Sequence, residues 1–281
     1  MHQLSVVEPQ RRNVANLAST ISYPDLPLEL ELLIFQQAAE GQQSFILTLM
    51  RVSRNVKARV EPILYRTIIR SRVAYPDLPR GYDPPLERLS TYCHLVQNLL
   101  IASDDVGYEL ICAHLTTCKN LVNVVIWCED LPQEISILPL LDDLHITRLS
   151  CVLSVLYLPG RPFEFSSPLF KRLVHLDIRD DGLTWDELKG LKDLSNLTHL
   201  AILPPYRLGV VDSIAENCPQ LRVLVLKERY WWYDDYRVVH ISLSYGCYIS
   251  DWLAQCEGRS CSWVVAENTI KERLRGPGPL T

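Results

Sequence analysis

Leu173-Val-His-Leu-Asp-Ile178, a polar stretch, and then Leu197-Thr-His-Leu-Ala-Ile202 decide the fold of this 281-residue chain. Each hexad is apolar at its first, fourth and sixth positions, and the last two of these fall on one face of a strand. The same pattern occurs at Val96-Leu99-Ile101, Leu121-Val124-Ile126, Leu141-Leu144-Ile146 and Leu221-Leu224-Leu226. First positions follow one another at intervals of 25, 20, 32, 24 and 24 residues. A short strand cannot bury its apolar face alone, so strands recurring at about this period stack and share one core. The long interval reads as an insertion within Leu156 to Pro168, where Pro159, Gly160 and Pro162 cluster.

The segments between hexads read as helices. Thr184-Trp-Asp-Glu187 has the spacing of a capping box, and Trp185, Leu188 and Leu191 follow at every third position. Cys118 and Cys218 each stand three residues before a hexad leucine, which suits a small buried thiol at a turn. This part of the chain resembles degenerate leucine-rich repeats. An open α/β sheet is the alternative, but no Gly-rich phosphate loop recommends it.

Upstream lies a different pattern. In Asp25 to Gly41, Leu28, Leu32, Phe35 and Ala39 share one helical face, and Leu30, Leu33 and Ile34 widen the stripe. Pro27 suits a first turn and Gly41 an end. Ser44 is read as the cap of a second helix over Phe45 to Arg54. A third runs through Val56 and Val60, and Pro62 is expected to restart the chain into Ile63-Leu64-Tyr65. Three short helices cannot hide this much apolar surface, so the unit reads as a docking module.

Leu26-Pro-Leu-Glu-Leu with Ile34-Phe35, then Val52-Ser-Arg and Glu61-Pro-Ile-Leu-Tyr-Arg66, resembles an F-box, closest to the divergent F-box proteins of fungi. The resemblance implies that Leu26, Pro27, Leu30, Ile34 and Val52 face a Skp1-type linker, and through it a cullin–RING ubiquitin ligase. The chain departs from the family pattern at Glu31, where Leu is usual, and lacks the third-helix Trp. The expected fold class is therefore α/β, an F-box-like three-helix module followed by a leucine-rich-repeat solenoid with parallel strands. The expected divisions are a loose tail at 1–22, the module at 23–70, a Pro-rich linker at 71–90 and repeats with a C-terminal cap at 91–281. In that cap, 250–254 and 263–274 read as helices.

Strand alternation puts the third and fifth hexad positions on the opposite, open face. That face then shows apolar residues at both ends and a polar centre of Asn123, Asp143, His145, His175, Asp177 and His199. These residues, with the aromatic group Tyr230, Trp231 and Trp232, are the expected contacts for a protein substrate. A metal site or a merely solvated cluster competes for the His/Asp centre. Cys151 beside His145 lacks any flanking nucleophile signature.

The net charge of −5 gives no case for nucleic acid, and no apolar run is long enough for a bilayer. Nine cysteines, an odd number at scattered spacings, fit reduced thiols in cytoplasm or nucleus. Asn196-Leu-Thr matches a glycosylation sequon by chance. The sequence implies no cofactor. The reading is a non-catalytic substrate adaptor of a ubiquitin ligase, with a repeat scaffold free of any ligase, or a metal-dependent enzyme, as alternatives.

Overall fold

Eight parallel strands lie side by side in chain order: β1 (Thr67–Ser71), β2 (Asn98–Ala102), β3 (Asn123–Ile126), β4 (Arg148–Cys151), β5 (His175–Ile178), β6 (His199–Ile202), β7 (Val223–Leu226) and β8 (Val238–His240). They belong to a computed structural model that describes residues 26–41, 45–71, 86–102, 107–128, 136–158, 162–203, 209–227, 233–243 and 245–275. Three helices precede β1: α1 (Leu28–Gly41), α2 (Ile46–Leu49) and α3 (Arg54–Tyr65). The crossovers hold α4 (Leu89–Tyr92), α5 (Tyr108–Thr117), α6 (Leu138–Asp142), α7 (Pro168–Arg172), α8 (Trp185–Leu188) and α9 (Val210–Asn217). Two longer helices follow β8, α10 (Tyr245–Cys256) and α11 (Ser262–Arg275). Among the described residues the strand order never reverses, so their sheet has no switch-point crevice of the doubly wound kind.

The sheet packs one face on the crossovers. Leu99, Val124, Leu149, Leu176, Leu200 and Leu224 stand in register across β2 to β7, none more than 2% exposed. A second buried row runs Ile101, Ile126, Cys151, Ile178, Ile202 and Leu226. Each such leucine is worth about 1.5–3 kcal/mol over exposure, and the row is shared by neighbours, so no strand stands without the next.

One hexad was misplaced. The fourth strand is Arg148–Cys151, preceded by Ile146, whereas Leu141 lies in the last turn of α6 and Leu144 in the turn after it. Asp143 and His145 therefore lie off the sheet. With Val96, Leu121, Ile146, Leu173, Leu197 and Leu221 as first positions, the intervals become 25, 25, 27, 24 and 24, and the supposed insertion disappears. Leu141-Leu144-Ile146 matched by coincidence of composition, while Cys151 closing the true unit hid it.

Polar residues just before the first hexad position tie each unit to the one before. Asn120 Nδ2 donates to the His94 carbonyl (2.7 Å), Asn196 Nδ2 to Lys171 (2.7 Å) and Gln220 Nε2 to Leu191 (3.0 Å). Arg172 Nη2 does the same toward the Asp142 and Leu144 carbonyls. Carbonyls that a turn leaves unpaired thus find partners. The Thr184–Glu187 capping box forms as expected, with the Thr184 N–H donating to Glu187 Oε2 at 2.8 Å. Cys118 and Cys218 are fully buried, and burial pushes their thiols up to about 12 and about 11.

The N-terminal helices have their own small core. Ala39, Ile46, Val56, Val60 and Ile63 are buried together, with Leu32 and Phe35 packed against them. Ser53 caps α3, its hydroxyl accepting from the Val56 N–H at 3.1 Å. Pro62 does not restart the chain; it lies inside α3, which runs on to Tyr65. Nor does the helical unit end at residue 70, because Thr67–Ser71 already pairs with β2. The sheet starts directly at the end of α3, ahead of the Pro-rich stretch. The tail at 1–22, Ser44 and 72–85 of the linker lie outside the described residues.

Candidate functional site

The face opposite the crossovers is not open. Alternation along the strands puts apolar groups at its two ends, and each end receives a helix. α10 sets Ile249, Trp252 and Leu253 on Ile69, Leu100, Ala102 and Val125. α11 sets Ala266 and Ile270 on Ala201, Val223, Val225 and Val239. The helices expected to close the end of the array instead fold back over its face. The reason is this apolar complementarity: bare Val223, Val225 and Leu100 would otherwise face water.

Polar contacts hold the two helices in place. His199 Nε2 lies 3.1 Å from Glu267 Oε1, and Arg273 Nη1 donates to the carbonyls of Tyr236 (3.0 Å) and Val238 (2.6 Å). Asp251 in the middle of α10 accepts from the N–H and hydroxyl of Ser262, both at 2.6 Å, which ties the start of α11 to α10.

Between α10 and α11 the polar centre of the sheet remains as a narrow seam. Asp177 Oδ2 accepts from Lys227 Nζ at 2.6 Å and from the Ser150 hydroxyl at 2.8 Å. Ser150 in turn accepts from the Trp127 indole at 2.8 Å. The Arg179 guanidinium lies between two rings, 3.6 Å from the Trp127 centroid and 4.4 Å from that of Tyr248. Burial works to raise the Asp177 pKa, but Lys227 and Arg179 outweigh it and hold the carboxyl below its usual range. Burial lowers the Lys227 pKa, with Asp177 opposing the shift.

His175 and His199 stack at 4.1 Å between centroids, with Trp263 edge-on to both. Burial, then the neighbouring His199 and Arg148, take His175 down to about 3. Burial also lowers His199, with Glu267 pulling the other way. Both rings are therefore neutral at pH 7. Asn123 lies farther along, donating to Asn98 and, at 3.9 Å, to the Cys256 sulfur. His175, Asp177 and His199 thus come together as expected. Asp143 and His145 do not; both are exposed on the turn after α6. Tyr230, Trp231 and Trp232 lie outside the described residues. Cys151 faces the core, where burial pushes its thiol far up, away from nucleophilic use.

Trp127, Arg179 and Lys227 escaped the sequence reading, as did Ser150 and Arg148 of the misplaced strand. The signal was present. Trp127, Arg179 and Lys227 stand six residues after Leu121, Leu173 and Leu221, one further step of the same alternation. The ladder reaches them: the Trp127 and Arg179 N–H groups bond Ile101 and Cys151. Among the described residues no group of three His, Cys, Asp or Glu side chains is placed to hold a metal.

The N-terminal unit offers the second surface. Leu26, Leu28, Leu30, Leu33, Ile34, Phe45, Leu47 and Val52 are each 45–59% exposed. They make eight of the fourteen exposed large apolar side chains among the described residues, all in one short stretch. Pro27 beside them is exposed too. Arg51, Arg54, Lys57 and Arg59 stand exposed around the start of α3. No described helix is long and apolar enough to cross a membrane. No family model matches the chain, and no curated protein matches it.

Proposed function

We propose that this chain is an adaptor of the F-box type, whose first three helices dock on a Skp1-type linker while the leucine-rich-repeat-like sheet and crossovers present a protein substrate to a ubiquitin ligase. One observation carries the reading: eight large apolar side chains between Leu26 and Val52 face water although α1, α2 and α3 already share a closed core. Apolar surface gathered this way on one small unit marks an interaction site. The exposed arginines and lysine beside it suit an acidic partner. Leu26, Pro27, Leu30, Ile34 and Val52 are the contacts assigned to the linker. α10 and α11 occupy the strand face first assigned to the substrate, so capture falls to the seam between them and to the rim.

Co-purification with a Skp1-type protein tests the reading. The parent chain should retain the linker and Ile34→Asp should lose it, with unchanged far-UV circular dichroism. Failure of the parent to bind would leave a repeat scaffold without a ligase link.

A further inference from the structure

The seam between α10 and α11 leaves its strongest hydrogen-bonding group unused. Arg179 keeps only 8% of its side chain exposed, yet neither Nε nor Nη2 has a hydrogen-bond partner. Those two nitrogens share one edge of the guanidinium, the edge whose parallel N–H groups match the two oxygens of a carboxylate. Trp127 and Tyr248 lie against the guanidinium and fix its plane. Asp177 does not satisfy it: its nearest oxygen is 3.9 Å from Nε and already serves Lys227 and Ser150. Asp251 is taken up by Ser262. Arg148, Arg179 and Lys227 against Asp177 and Asp251 leave the lining one positive charge in excess. The space in the seam is about 40 Å³, room for roughly three waters, and so suits a short acid rather than a nucleotide.

We propose that this seam binds a small carboxylate, gripped by the Nε–Nη2 edge of Arg179, with Lys227 adding charge and Trp127 and Tyr248 forming the walls. Both nitrogens are shut off from solvent, so binding requires the side chains around them to shift. The reading is independent of what the N-terminal helices bind.

Thermal melting and tryptophan fluorescence of the full chain test it in acetate, succinate and phosphate against chloride at matched ionic strength. Acetate or succinate should raise the melting temperature and change the fluorescence saturably. Trp127→Phe, which removes the indole from one wall, should lose much of the optical change. Arg179→Lys keeps the charge without the fork and should weaken binding at least tenfold. A tripeptide with a free C-terminus, compared with its amide, separates a chain end from a free acid as the source. No saturable response to acetate, succinate or the free-ended peptide overturns the proposal, as does unweakened binding by folded Arg179→Lys. A response to phosphate alone overturns the carboxylate assignment. The parent protein's anion selectivity decides the matter even if the variant does not fold.

Discussion

The two ends of this chain treat apolar surface in opposite ways. At the C-terminal end, α10 and α11 bring Ile249, Leu253, Ala266 and Ile270 onto the apolar margins of the sheet, and Val264, Val265 and Leu274 of α11 are what stays exposed. At the N-terminal end, α1 to α3 close a five-residue core and leave a larger apolar set outside it. Composition does not distinguish the two, since both are helices with apolar stripes. What differs is whether the chain itself supplies the complement. Where it does, the apolar face is a fold element. Where it does not, it is an offer to another molecule.

Matched truncations bring out that contrast most strongly. Ile249→Ala, at a site 2% exposed, should cost about 2–5 kcal/mol in urea unfolding. Ile34→Ala, at 55% exposure, should stay within about 0.5 kcal/mol. Equal losses at the two sites would erase the distinction.

Acid should separate the two ends next. His175 has its folded pKa depressed from its ordinary value to about 3, so between these limits the unfolded chain holds the extra proton. Stability from this group is full above pH 6.5 and is lost as pH falls toward 3. Asp177 acts in the same direction at lower pH, because its depressed carboxyl loses its charge only late. Residues 26–65 contain no histidine. Hydrogen exchange at pH 5 against pH 7 should therefore loosen β5, β6 and α11 while sparing α1 and α3. His175→Gln should flatten the change, and a uniform response across both ends would contradict it.

The smallest effect concerns the ties between units. Asn196→Ala removes one partly solvated bond to the Lys171 carbonyl and should cost about 1 kcal/mol or less, read as a small drop in the urea midpoint. This residue, which reads as part of a sequon, has a structural use at its own position.

Five strands were legible because Leu99, Val124, Leu176, Leu200 and Leu224 recur at the right spacing and every one meets its neighbour in the sheet. The fourth was not, because Leu141, Leu144 and Ile146 satisfied the pattern while folding as a helix end and a turn. The first strand was absorbed into the helical unit, since Arg70 breaks the apolar alternation after Ile68. The polar centre with its apolar ends was visible from alternation alone. That α10 and α11 would cover those ends was not, because a helix stripe states that a face wants burial without naming the surface that receives it. Arg179 and Lys227 stood one alternation step beyond the hexads.

Strands that pair only with their neighbours in the chain can form one after another as residues leave the ribosome. The seam cannot. Asn123 meets Cys256, 133 residues later, and His199 meets Glu267, 68 residues later. During synthesis the sheet stands half clothed, its valines and its Arg179–Asp177 cluster bathed in water, until the last two helices emerge and swing back. A ribosome stalled before α10 should therefore display a chain that is ordered along most of its length and sticky on one side.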